Sequence, residues 1–314
     1  MRVMDSDASI LDAGQTAQAL PYLPLAHSIR ALLLDPSVVV PPRIVQSLVS
    51  GGSLFVMPAS DRRVAITKLI TFVADNPARG LPAIQGDVVV FDAQDGRRLQ
   101  VLHGPTVTAR RTAAVSLLAA MELAPSPDGP LLIVGAGVQG HSHLEAFAQG
   151  LGVREVMVAS RSQASADALV AHATTLGIQA RRVDDADAAL RDCPLVVSCT
   201  SAQEICLRAT PRDDAFVSAV GAFTPRMAEW APEVCRDIAA RGRVVLDTRD
   251  ADHEAGDLLQ AGLDVPACAT LADVVQQHAR AAQRPANQGP VFFKSCGWAG
   301  WDLAAARCLN KESS

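Results

Sequence analysis

Aromatic side chains are scarce in this 314-residue sequence: Phe, Trp and Tyr together make up 4% of it, with a single Tyr. Few platforms are therefore available for stacking on nucleic-acid bases. A net charge of -5 gives no positive field to hold a phosphate backbone, so nucleic acid is not an expected partner. No apolar run approaches the roughly 18 residues needed to cross a bilayer. The opening MRVMDSDASILDAG carries acidic residues where a secretory signal has a positive flank and an apolar run, and a cytoplasmic protein without membrane contact is expected. The seven cysteines are an odd set with no C-x-x-C pair, which argues against a disulfide framework and against a structural zinc site. They are expected to be small buried hydrophobes. His141 and His143 are two residues apart and point to different sides of a helix, so no metal is expected there either.

What is present is ordinary globular composition, 49% hydrophobic and 19% charged. The length exceeds the roughly 250 residues at which one core stops growing, and two domains follow. In the first part, an extended proline-marked stretch at 38–42 precedes strand-like runs at 53–57, 65–72, 87–91 and 98–102, with Asp95-Gly96 as a hairpin turn. These predict an antiparallel sheet. Residues 106–124 have helical spacing and end at Pro125, Pro127 and Gly129. From Leu131 the pattern becomes strand, glycine turn, helix, strand, helix, and apolar runs at 195–199, 216–220 and 244–246 alternate with helical stretches. This is the rhythm of a parallel sheet with helices on both faces. A helix at 271–282 and a polar linker at 283–289 follow, then a tail too short to be a domain by itself. The expected architecture is α/β: a Rossmann-type doubly wound parallel sheet, 125–289, inserted in a second, α+β domain made of 1–124 plus 290–314.

Gly135-Ala136-Gly137-Val138-Gln139-Gly140 is a G-x-G-x-x-G between a strand and a helix. The first glycine allows the tight turn, the second admits a pyrophosphate against the backbone, and the third lets helix and strand pack closely. The following strand ends in Ser160-Arg161-Ser162, where an NAD-preferring site has an acidic residue. A guanidinium flanked by hydroxyls suits a 2′-phosphate, so NADPH is the expected cofactor and NADH the second choice. Thr200, Val220 and Ser295 are further candidates for cofactor contact.

In the other domain, Lys68 interrupts the apolar run AITKLITF, where a solvated face is not expected. Arg111 is expected in the first turn of a helix, where a cation opposes the dipole and needs another reason such as an anionic ligand. Arg43 is a third cation beside an extended segment. Spacing alone leaves open whether these three converge or make ordinary ion pairs.

The stretches Lys68-Leu69-Ile70-Thr71-Phe72, Thr108-Ala109-Arg110-Arg111-Thr112-Ala113-Ala114 and the glycine turn itself resemble the ornithine cyclodeaminase and mu-crystallin family. Downstream, Val220-Gly221-Ala222, Pro225, Glu229, Gly256-Asp257 and Phe293-Lys294-Ser295-Cys296-Gly297 keep the family's order, so the resemblance spans nearly the whole chain. It implies a homodimer paired through the substrate domain, hydride exchange between nicotinamide and the carbon beside a carboxylate, and a carboxylate held by Arg43, Lys68 and Arg111. Lys68 and Arg111 are the catalytic candidates. Where the deaminating members have an aspartate, this sequence has Phe223, which can neither accept a proton nor orient water. Phe223 is therefore a candidate substrate contact, and Glu254 another. The resemblance then points to NADPH-dependent reduction of a small cyclic 2-imino acid, pyrroline-2-carboxylate or piperideine-2-carboxylate, to proline or pipecolate. NAD-dependent ornithine cyclodeamination and a non-catalytic NADPH-binding role are the alternatives.

Overall fold

The computed structural model describes residues 9–201, 203–281 and 289–310. The chain divides into two compact units, one running to Arg111 and resuming at Ala299, the other from Thr112 to Trp298.

The first unit is built on a six-stranded sheet of β1 (Ser9–Leu11), β2 (Ile44–Ser47), β3 (Ser53–Ser60), β4 (Val64–Phe72), β5 (Ile84–Asp92) and β6 (Arg98–His103), in the order β1-β6-β5-β4-β3-β2. Only β1 joins in parallel, so the sheet is mixed, in contrast to the antiparallel one expected. Gly96 takes φ +76° in the β5–β6 hairpin, at the turn expected from Asp95-Gly96. The period-2 pattern of β4 buries Ile66, Lys68 and Ile70 and leaves Leu69 on the opposite face. Two helices not expected from the sequence pattern precede β2. In α1 (Ala13–Ala19), Asp12 accepts from the Gln15 amide and the Gln15 side chain from the Asp12 amide, a reciprocal cap. In α2 (Tyr22–Leu33), Pro24 falls in the first turn, where a missing N–H costs nothing.

Helix α3 (Gly104–Leu123) contains the boundary between the units. The second unit is an eight-stranded, wholly parallel sheet of β7 (Leu131–Val134), β8 (Glu155–Ala159), β9 (Gln179–Arg182), β10 (Leu195–Ser198), β11 (Phe216–Ala219), β12 (Arg243–Leu246), β13 (Ala269–Thr270) and β14 (Val291–Lys294), in the order β13-β12-β14-β11-β10-β7-β8-β9. The helices are α4 (Val138–Gly150), α5 (Gln163–Thr175), α6 (Ala186–Ala189), α7 (Pro232–Arg241), α8 (Gly256–Gln260) and α9 (Leu271–Arg280). Strands β7, β10, β11 and β14 are buried throughout, as strands covered on both faces must be. Strand order reverses between β7 and β10, which makes the carboxyl ends of these two strands the switch point where doubly wound sheets bind ligands.

The unit boundaries differ from the expected 124/125 and 289/290. Residues 291–294 extend the parallel sheet between β11 and β12 because VFFK is one more doubly buried run. The chain returns to the first unit only with α10 (Ala299–Leu309), which packs on α2, β3 and β4. Apart from Gly289, the expected linker at 283–289 lies outside the described residues.

Candidate functional site

A cavity of about 620 Å³ opens at the switch point of the second unit. Its lining includes Gly135, Gly137, Ser160, Arg161, Thr200 and Ser201. The three glycines do different work. Gly135 has φ +113°, and a Cβ there would meet the Cys199 carbonyl oxygen at 2.6 Å. A Cβ on Gly140 would meet the Gly135 carbonyl oxygen at 2.3 Å. Gly137 has an ordinary φ of -88°, and a Cβ on it would meet nothing within 4 Å. No protein contact demands glycine at this position, so the space it leaves at the start of α4 fits a ligand. Gly137 is the N-cap and supplies no side chain to the first-turn amides, which leaves the start of this helix open to an anionic ligand.

Arg161 is exposed at the β8–α5 turn, and its Nη2 donates to Ser201 Oγ at 3.0 Å, joining two segments of the cavity lining. Ser162 does not line the cavity; it caps α5, accepting from the Ser165 amide. Val138, Gln139, Gly140 and Val220 are likewise outside the lining, and Ser295 is buried with its hydroxyl donating to Asp247 Oδ2 at 3.0 Å. Phe223, four residues past β11, is 39% exposed, and Glu254 is half-buried after a short 3-10 turn.

Buried carboxylates not expected at the site from the sequence fix the loops after β10, β11 and β14. Glu229 accepts from the Thr200 amide at 2.7 Å, the Gly221 amide at 2.8 Å and Ser198 Oγ at 2.9 Å. Asp257 accepts from the Glu229 and Trp230 amides with one oxygen and pairs with Lys294 Nζ at 2.7 Å with the other. All three charged side chains are fully buried. Burial and the neighbouring Asp257 push the Glu229 carboxyl above its usual range. Burial, the largest single influence, would lower Lys294, but Asp257, Cys296 and Glu229 together hold the ammonium above the usual lysine range. Asp247, raised by burial, collects the Cys296 and Gly297 amides along with Ser295 Oγ. In the sequence Glu229, Asp257 and Lys294 stand out only as matches to the family's order and, for Lys294, as a charge ending the apolar run 291–294.

In the first unit, Lys68, Arg111 and Arg43 lie near one another. Lys68 of β4 is 1% exposed and donates to Asp302 Oδ1 of α10 at 3.3 Å. Arg111 Nε lies 3.5 Å from the same oxygen, an ion pair without hydrogen-bond geometry. Arg43 is half-buried and close enough for its charge to act on Lys68. Burial pushes the Lys68 ammonium down to about 8; Asp302 opposes the shift, and Arg111 and Arg43 add to it. Because α3 begins at Gly104, Arg111 sits further into the helix than its expected place near the start. Burial beside Asp302 thus replaces the dipole argument. Nothing in the sequence pattern marks Asp302.

One other expectation changes. Only Cys193 and Cys235 are fully buried, both with thiols pushed up to about 12 chiefly by burial, while the other cysteines are partly exposed. His143 is buried and bonds Gln139 O at 2.8 Å and Ser116 Oγ at 2.9 Å, and burial lowers it to about 4. No group of three or more metal-ligating side chains occurs, and no helix is long and apolar enough to cross a membrane, among the described residues.

A glycine turn at the switch point of a wholly parallel sheet defines the class of a dinucleotide-binding oxidoreductase, and the first unit adds a buried cation cluster. The chain belongs to the ornithine cyclodeaminase/mu-crystallin family, whose model matches residues 24–314. It is 38% identical over 311 residues to a Delta(1)-pyrroline-2-carboxylate reductase of Burkholderia multivorans, covering 96% of this chain and 95% of the relative. It is 33% identical to the ketimine reductase mu-crystallin of Mus musculus, covering 82% of this chain and 80% of that protein. In fold it is similar to the Delta(1)-pyrroline-2-carboxylate reductase of Thermococcus litoralis, solved with NADH and L-proline, at TM-score 0.81 and 22% identity over 95% of this chain and 92% of that one.

Proposed function

We propose that this protein is an NADPH-dependent reductase of small cyclic 2-imino acids, converting pyrroline-2-carboxylate or piperideine-2-carboxylate to proline or pipecolate. The observation that carries the reading is the buried convergence of Lys68 and Arg111, with Arg43 nearby, in a relative of imino-acid reductases. Lys68 and Arg111 share a single oxygen of Asp302, so this buried pair keeps an excess of positive charge that favours an anion, and these residues bind and orient the substrate carboxylate. NADPH, when bound at Gly135, Gly137 and Thr200, supplies the hydride. The protonated imine is already an electrophile, so the protein's task is positioning and water exclusion. Phe223 stands where the resemblance gives the deaminating members an aspartate, and cyclodeamination of ornithine is accordingly not expected. Incubation with ornithine and NAD⁺ should release no ammonia, whereas either cyclic imine should consume NADPH; ammonia release without imine reduction would reverse the assignment.

NADPH preference rests on Arg161. Arg161→Ala should weaken NADPH binding by about 1.5 to 3 kcal/mol, the size of a charge-assisted hydrogen bond, and leave NADH binding nearly unchanged. Fluorescence titration of the two cofactors checks this, and equal weakening would remove the argument.

The first unit also carries the homodimer interface in this reading. Ile44, Val56 and Leu69 are register neighbours across β2, β3 and β4, and Ile44 and Leu69 are 60% and 45% exposed on the face opposite Lys68. An apolar sheet face of this kind marks an interaction surface. Sedimentation should show a dimer that Leu69→Asp dissociates; an unchanged dimer would place the interface elsewhere.

A further inference from the structure

The two best-connected buried aspartates of the second unit and the one in the cation cluster are bonded differently. Asp247 and Asp257 use both oxygens in hydrogen bonds, tying loops together. Asp302 is equally buried, but Oδ1 serves Lys68 and Arg111 together, and Oδ2 has no hydrogen-bond partner among the described residues. Its contacts in the cluster are with charges and not with backbone. It also lies in the first turn of α10, where the helix dipole favours an ionised carboxylate.

The groups around Lys68 are few. From α10 comes Asp302, from α3 Arg111, and from the segment before β2 Arg43. Its cross-strand neighbours, Met57 on β3 and Val88 on β5, carry no charge. Asp302 is thus the only one of these groups that favours the ammonium form, against burial and two like charges. We propose that Asp302 is a positioning residue for imino-acid reduction: it keeps the Lys68 ammonium charged and, with Arg111, held in place for the substrate carboxylate. This rests on the carboxylate-binding reading above.

The consequence is a pH dependence. Lys68 is lowered to about 8 with Asp302 present, so binding of a carboxylate ligand should weaken as pH rises through that value. Losing an opposite charge at this range moves such a group by roughly 1 to 3 units. In Asp302→Asn the weakening should therefore begin about 1 to 3 pH units lower. The probe is pyrrole-2-carboxylate, a planar carboxylate that cannot accept hydride, titrated calorimetrically into the full-length protein from mild acid to mild alkali. A limb displaced downward in Asp302→Asn supports the proposal. A limb at the wild-type pH, with or without a uniform loss of affinity, overturns it and leaves Asp302 a packing residue. Should the Asn variant not fold, Asp302→Glu carries the test: a limb kept at the wild-type pH supports the need for a carboxylate, and a displaced limb overturns it. If the wild-type protein fails to bind the probe at every pH, the carboxylate-binding reading itself falls and the role of Asp302 with it.

Discussion

Lys294→Met should destabilise the protein by about 3 to 5 kcal/mol, because it removes the cation that the Asp257 carboxylate contacts and leaves Glu229 and Asp257 buried together. Methionine matches the lysine stem in volume, so the loss is electrostatic and not a cavity effect. The sign of its pH dependence follows from Glu229. That carboxyl already lies above its ordinary range, and without Lys294 it rises further. A carboxylate with a raised folded-state pKa favours folding at low pH and loses that contribution as pH rises through the folded value. The deficit relative to wild type should be larger at pH 8 than at pH 5. Denaturant unfolding at the two pH values measures it, and a variant as stable as wild type at both would show that the pair does not support the fold. Because Glu229 holds the Thr200 and Gly221 amides, the same variant should also bind the dinucleotide less tightly at temperatures where it remains folded.

Lys68→Met should abolish most activity while sparing the cofactor site. Truncating one member of a buried, hydrogen-bonded charge pair costs about 2 to 5 kcal/mol, which corresponds to roughly 30- to 5,000-fold in kcat/KM. Much of this should appear as a higher KM for the imino acid, since the lost contact is to the substrate's carboxylate. NADPH affinity should remain near wild type, because the cavity lining lies wholly in the second unit. Lys68→Arg should not restore activity, because a planar guanidinium fork does not reproduce the contact that the compact ammonium makes with Asp302. Steady-state kinetics combined with cofactor titration distinguishes these outcomes, and an unchanged kcat/KM in Lys68→Met would remove Lys68 from the site.

Features of the fold that depend on local pattern are legible in the amino-acid sequence. The glycine turn sits between a continuous apolar strand and a helix, and each of those signals spans only a few residues. Lys68 is conspicuous for a similar reason, since a charge at an inward position of an alternating strand needs a partner. Its partner is not legible, because Asp302 is 234 positions away on a helix whose own pattern does not mark it. The same holds for Glu229, Asp257 and Lys294, which come from the β11–α7 loop, α8 and β14 and meet only in the folded second unit. Helix α2 is hidden by Pro21 and Pro24, which read as breaks although one precedes the helix and the other lies in its tolerant first turn. The place of strand β14 escapes the sequence because parallel-sheet order is set by crossovers and not by sequence adjacency: 291–294 inserts between β11 and β12, and only the next segment leaves the sheet.

The central claim is hydride transfer to the carbon beside the carboxylate of a cyclic imine. It is tested most directly with NADPH deuterated at nicotinamide C4 and unlabelled pyrroline-2-carboxylate, with mass and NMR analysis of the product. The account predicts proline carrying deuterium at Cα, formed one for one with NADPH consumed from the labelled face, and loss of that product in Lys68→Met. Tight binding of NADPH with no labelled proline from this substrate or labelled pipecolate from piperideine-2-carboxylate would contradict it.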